Sequence, residues 1–154
     1  MDKEIASQYG NRVRVRACGI CLRENSVLMV NHGGITGGDF WMPPGGGIEF
    51  GASIEETLKR EFIEETGLEI EPGGFLFGCE YIRHPLHAIE LFYLVSMSGG
   101  VLKSGHDPEL QIIRDARFLT FEEIVTRPAV EVHAMFRHAG SQEDLKKLTG
   151  FYRI

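Results

Sequence analysis

Residues 45–68, GGGIEFGASIEETLKREFIEETGL, constrain this chain more than any other stretch. A glycine-rich turn is followed by a helical run whose last turns carry Glu61, Glu64 and Glu65, spaced i, i+3 and i+4. At about 100° per residue the three carboxylates fall within an arc of roughly 100° and project together. Ile54, Leu58 and Phe62 form the apolar stripe of the same helix, and on the wheel Glu61 and Glu65 lie close to that stripe. A solvated acidic face would lie opposite it. Clustered carboxylates repel one another at neutral pH unless a cation compensates them, and an all-oxygen set suits Mg²⁺ or Mn²⁺.

The spacing predicts where this helix begins and ends. Ser53 is an N-cap with Glu56 three residues later, which makes a capping box, and Gly67 follows the last helical residues as a C-terminal glycine. Around it, residues 13–22 and 26–30 read as two strands of a hairpin, and residues 40–42 as a short strand stopped by Pro43-Pro44. Residues 74–84 and 87–97 read as two strands about a turn at Pro85, and residues 111–118 as another. Thr120 with Glu123 starts a short helix, and residues 129–148 read as helical in one or two pieces. The glycine-rich stretch 32–39 lacks the GK[ST] ending of a phosphate-binding loop and reads as a connection. Strands mixed with a few helices, without a regular βαβ repeat, indicate an α/β (α+β) domain.

Composition bounds the rest. A length of 154 residues with 43% hydrophobic content suits one domain over residues 1–154. The formal net charge of -6 argues against an extended nucleic acid as partner and leaves room for a small polyanion held through metal ions. Cys18, Cys21 and Cys79 are an odd count without a paired framework, which fits a reducing, cytoplasmic setting, and Cys18 and Cys21, at CxxC spacing inside an apolar run, read as buried structural thiols. The polar N-terminus and the lack of a long apolar stretch predict no membrane association.

The run Arg60-Glu61-Phe62-Ile63-Glu64-Glu65-Thr66-Gly67-Leu68 resembles the core of the Nudix hydrolase signature, R-E-U-x-E-E-x-G-U with U apolar, and Gly46 stands where that signature has its first glycine. One position departs: Ala52 stands where the signature has a glutamate. Glu56, one helical turn before Arg60, is expected to offer the arginine a substitute partner. The resemblance implies a Nudix-type α/β/α sandwich around a mixed β-sheet, and Mg²⁺-dependent hydrolysis of a nucleoside diphosphate linked to another moiety, such as ADP-ribose, another nucleotide sugar or a nucleoside triphosphate. Mn²⁺ is the alternative cation. Such chemistry is limited by charge repulsion against the attacking water, which a divalent ion relieves.

Carried over position by position, the resemblance makes Glu61 and Glu65 the principal metal ligands, with Glu64 completing the cluster or binding a second ion through water and Gly45 offering its backbone carbonyl. Arg60 would orient the carboxylates, and Glu64 and Glu65 belong to the catalytic set. The general base in such proteins is either a signature glutamate or an acidic residue on a later loop, and Glu109, Asp115, Glu122 and Glu123 are the candidates here, Glu109 first. Asp115-Ala116-Arg117-Phe118 also resembles a segment common downstream in the family. Arg14 and Arg16, which with Arg12 alternate with Val13, Val15 and Ala17 and so share one strand face, are candidate phosphate contacts, with solvation of an edge strand the favoured reading of the three. Arg83 is a third candidate, with Tyr81, His84 and His87 beside it, while Phe40 and Trp41 read as core. The partner expected is a small nucleotide, and the resemblance allows a homodimer. The competing function is a Nudix domain that senses a nucleotide without cleaving it.

Overall fold

The computed structural model describes residues 3–33, 37–103 and 113–154. A helix α1 (Lys3–Tyr9) leads into the hairpin β1 (Val13–Arg23) and β2 (Ser26–His32), followed by the short strands β3 (Trp41–Met42) and β4 (Gly45–Gly47). Then come α2 (Ile54–Thr66), the long strands β5 (Leu68–Arg83) and β6 (Leu86–Gly100), β7 (Ile113–Thr120) and α3 (Phe121–Thr126). Two 3-10 turns (Ala129–Glu131 and Ala134–Arg137), α4 (Gln142–Lys147) and β8 (Phe151–Arg153) complete the order.

The strands form one mixed sheet in the order β3-β2-β1-β6-β5-β8, with β4 paired to β1 and β7 to β2. β1 runs parallel to β6 from Val13↔His87 to Cys21↔Val95 and antiparallel to β4 from Arg16↔Gly47 to Cys18↔Gly45. β1 is therefore a central strand. That corrects the edge-strand reading of its arginines: alternation of Arg and Val marks an edge only when one side of the strand lacks a partner, and long-range pairing decides that.

Side-chain alternation along β1 sends Ala17 and Cys21 to one face and Cys18 and Ile20 to the other. On the first face α2 packs Leu58 and Phe62, both fully buried, against Leu28, Leu68 and Val95. On the second, Phe77 and Phe92 stack at 4.8 Å between ring centroids among residues from α3, α4 and the 3-10 turns. The result is the sheet with helices on both sides that was expected.

α2 begins and ends where its caps predict. The Ser53 hydroxyl accepts the Glu56 N–H at 3.0 Å and the Glu56 carboxylate accepts the Ser53 N–H at 2.7 Å. Gly67 closes the helix at φ 74°, its N–H donating to Ile63 O at 3.0 Å. Elsewhere the structure departs from expectation. β5 starts at Leu68 instead of 74, because its register shifts at Pro72–Phe75 and Phe75–Phe77 break the period-2 pattern. Residues 129–148 hold two 3-10 turns and the six-residue α4 instead of longer helices. The expected strand 111–118 corresponds to β7, with residues 111 and 112 outside the described residues.

Candidate active site

β4 and the second half of α2 meet along the wall of a cleft of about 1250 Å³. Glu61, Glu64, Glu65 and Gly45–Gly47 line it, together with His32, Arg14, Arg16, Glu90 and His133, and Tyr81, Arg83 and His87 line it as well. The three glutamates differ in depth. The Glu65 and Glu61 side chains are 7% and 12% exposed, that of Glu64 33%. The i, i+3, i+4 spacing thus gives two carboxylates along the buried edge of the helix and one toward the open cleft.

Glycine is required on the strand that meets them. A Cβ at Gly46 would overlap the Glu61 carboxylate, and one at Gly45 would overlap the Ala17 carbonyl. The Gly45 N–H donates to Glu65 Oε2 at 3.2 Å, and the Gly45 carbonyl accepts from Arg16 Nη2 at 3.1 Å. Arg60 lies at the rim, 3.0 Å from Glu61 Oε1 and 3.5 Å from Glu64 Oε2, and donates to Gly47 O at 3.4 Å. Its further carboxylate neighbour is Glu49, at 3.9 Å. Glu56, expected to support Arg60 in place of the residue missing at Ala52, is instead committed to the Ser53 N–H in the capping box. A helix cap satisfies an orphan backbone donor, and that competing bond decides where Glu56 points.

Beneath the glutamates lies a buried polar group that sequence reasoning missed. Glu90, in the middle of β6, takes Arg16 Nη1 on one oxygen at 2.7 Å and His133 Nε2 on the other at 2.6 Å. The Met135 N–H donates to His133 Nδ1 at 3.2 Å, so the ring proton sits on Nε2 and points at Glu90. Burial alone would raise the Glu90 pKa, but the contacts with His133 and Arg16 outweigh it and bring it down to about 2. The only signal in the sequence was a lone carboxylate at an inward position of an apolar strand. Arg16 is thereby engaged in a buried ion pair.

His32 is also buried, with Nε2 3.8 Å from Glu65 Oε1 and no hydrogen-bond partner for that nitrogen among the described residues. Burial, helped by Arg16 and opposed by Glu90, lowers its pKa to about 3, so the ring is neutral at physiological pH. Arg14 packs its guanidinium on the Tyr9 ring of α1 at 4.1 Å to the centroid and lies beside Gly47. Burial, with Arg16 and Arg12 nearby, lowers its pKa to about 10, which still leaves it a cation.

Of the candidate bases, Glu109 lies outside the described residues. Asp115, Glu122 and Glu123 do not line the cleft: Asp115 accepts from Ala116 N–H and Arg117, and Glu123 caps α3. His87 pairs with Glu80 at 3.1 Å, while Trp41 is 2% exposed, in the core. As they stand, no three His, Cys, Asp or Glu side chains among the described residues are gathered closely enough to enclose a cation. The donor set is nevertheless all oxygen, two deep carboxylates against a strand cradle that a Cβ would fill. It fits a hard divalent ion.

The NUDIX domain family model matches residues 11–139. An ADP-ribose pyrophosphatase of Methanocaldococcus jannaschii is 34% identical over 92 residues, covering 58% of this chain and 54% of its own length. The 8-oxo-dGDP phosphatase of Mus musculus is 30% identical over 112 residues, covering 67% of this chain and 32% of its own length. The chain thus spans only part of the curated relatives it matches. Among solved structures, a MutT NUDIX hydrolase from Burkholderia pseudomallei superposes with a TM-score of 0.69 at 19% identity, over 90% of this chain and 99% of that one, a likeness of fold. A family match spanning residues 11–139, over a sheet and helix arrangement shared with solved members, makes this chain a member of the NUDIX domain family.

Proposed function

We propose that this chain is a divalent-metal-dependent pyrophosphohydrolase that cleaves the phosphoanhydride of a nucleoside diphosphate linked to a second moiety, with Mg²⁺ as the working ion and Mn²⁺ as its substitute. The observation that carries this reading is the pair of carboxylates, Glu61 and Glu65, turned into the cleft against Gly45 and Gly46. Glu61 and Glu65 would hold the ion, with the Gly45 carbonyl and Glu64 beside them. When bound, that ion offsets phosphate charge and orients water.

The remaining steps belong to the protein. Arg60 restrains Glu61 and Glu64 through its two contacts. Glu64, the most exposed of the three, takes the proton from the attacking water on a carboxylate oxygen. Arg14, stacked on Tyr9 and without a carboxylate within ion-pair distance among the described residues, offers its fork to phosphate oxygens, and Arg83 lines the same cleft. Tyr81 presents a ring for a base or sugar. ADP-ribose, other nucleotide sugars and nucleoside triphosphates are the substrates to examine, and the relatives named as an ADP-ribose pyrophosphatase and an 8-oxo-dGDP phosphatase support that choice. The three free, buried cysteines support the cytoplasm as compartment, and no helix among the described residues is long and apolar enough to cross a membrane.

The test is incubation of the purified protein with a panel of these compounds, with Mg²⁺, with Mn²⁺ and with excess EDTA. Metal-dependent release of a nucleoside monophosphate from at least one compound is expected. Nucleotide binding without cleavage under every metal condition would favour the sensing function instead.

A further inference from the structure

The Arg16–Glu90–His133 group is built directly under the strand that meets the glutamates, and the proposed mechanism leaves it unused. Arg16 spans two partners: Nη1 goes to Glu90 and Nη2 to the Gly45 carbonyl. Gly45 in turn donates its N–H to Glu65. One peptide is therefore held from both sides, by a buried cation at its oxygen and by a carboxylate at its nitrogen. The side chains of Arg16 and Glu90 are 13% and 4% exposed, so water screens neither charge well.

This arrangement creates an electrostatic conflict. A guanidinium that fixes the Gly45 carbonyl also sets a positive charge beside the place where Glu61 and Glu65 would accept a divalent cation. Glu90 resolves it. Its carboxylate cancels the Arg16 charge, and His133 donates from Nε2 to the second Glu90 oxygen without adding a charge, because Nδ1 is occupied by the Met135 N–H. We infer that Glu90 is a positioning and charge-compensating residue: it lets Arg16 orient the Gly45 peptide without repelling the cation held by Glu61 and Glu65. This rests on the metal-dependent reading above.

The alternative is that the group serves only the fold, as buried ion pairs do elsewhere. The two differ in what happens to metal affinity when charge alone is changed. The experiment measures the dissociation constant for Mn²⁺ by the electron paramagnetic resonance signal of the free ion, in wild-type protein and in Glu90→Gln, Glu90→Asp and Arg16→Met/Glu90→Gln. Thermal melting in EDTA is recorded alongside to establish that each is folded.

Glu90→Gln, which leaves the Arg16 charge uncompensated, is expected to weaken Mn²⁺ binding by about tenfold or more. Glu90→Asp keeps the charge and is expected to bind within about threefold of wild type, while Arg16→Met/Glu90→Gln, which removes both charges together with the Arg16 bond to the Gly45 carbonyl, is expected to bind more tightly than Glu90→Gln without fully regaining the wild-type affinity. Equal affinities in wild type and folded Glu90→Gln would overturn the inference, as would a double variant no better than Glu90→Gln. Should Glu90→Gln not fold in EDTA, the other two variants carry the test, and a loss of about tenfold in both of them overturns it. A wild-type protein that binds no Mn²⁺ overturns the metal-dependent reading itself, and is distinguishable from every outcome above.

Discussion

His32 carries the plainest pH signature among the residues of the cleft. Its folded pKa is lowered from 6.5 to about 3 by burial first and by Arg16 second. The unfolded chain then binds one more proton than the folded protein between those values, so stability is complete above 6.5 and is lost as pH falls toward 3. The contribution of one proton cannot exceed about 1.4 kcal/mol per pH unit. Urea unfolding in EDTA between pH 7 and 4 is expected to give a shallower decline for His32→Asn than for wild type, and parallel curves would contradict the assignment. Gly46 allows a second residue-level prediction. The group its new Cβ would strike is the far end of the flexible Glu61 side chain. Gly46→Ala should therefore change stability by less than about 1 kcal/mol while weakening Mn²⁺ binding by about tenfold or more, checked by denaturation and metal titration on one preparation. Glu61, Glu64, Glu65 and Gly45 were legible in the sequence because a single helix and the turn before it bring them together. Arg16, Glu90 and His133 were not, since nothing local links a residue of β1, one of β6 and one between two 3-10 turns.

At the scale of elements, α2 is the part that has to be rigid, because a carboxylate displaced by an ångström no longer meets β4. Both of its ends are fixed by local chemistry. Ser53→Ala removes the side-chain acceptor of the Glu56 N–H and is expected to cost about 1 kcal/mol of stability by chemical denaturation. Gly67→Ala should cost more, for Gly67 lies at φ 74° and a Cβ would approach Val101 O to 2.6 Å. These caps are short-range signals, which is why the helix could be located from sequence within a residue. β5 could not, since its register shifts at Pro72–Phe75 and Phe75–Phe77 scramble the alternation that marks a strand. The same limit applies to β1, whose arginines resembled an edge until β4 and β6 were seen on its two sides. Glu56 illustrates a local competition: helix spacing put it near Arg60, and the cap took it.

In the whole molecule, the sheet is the frame that joins the two faces. Phe77 of β5 and Phe92 of β6, both fully buried, stack in the face opposite α2. Phe92→Ala is expected to destabilise the fold by about 3–5 kcal/mol, measured by urea unfolding in EDTA. The central claim is that Glu61 and Glu65 together make the metal centre of a pyrophosphohydrolase. Its most direct test is the Mg²⁺-saturated turnover of the compound cleaved fastest, compared between wild type and Glu65→Gln, with equal melting temperatures in EDTA required of both. A fall in kcat of about a hundredfold or more is predicted, as expected for the loss of transition-state charge stabilisation. Undiminished turnover by folded Glu65→Gln would contradict the account.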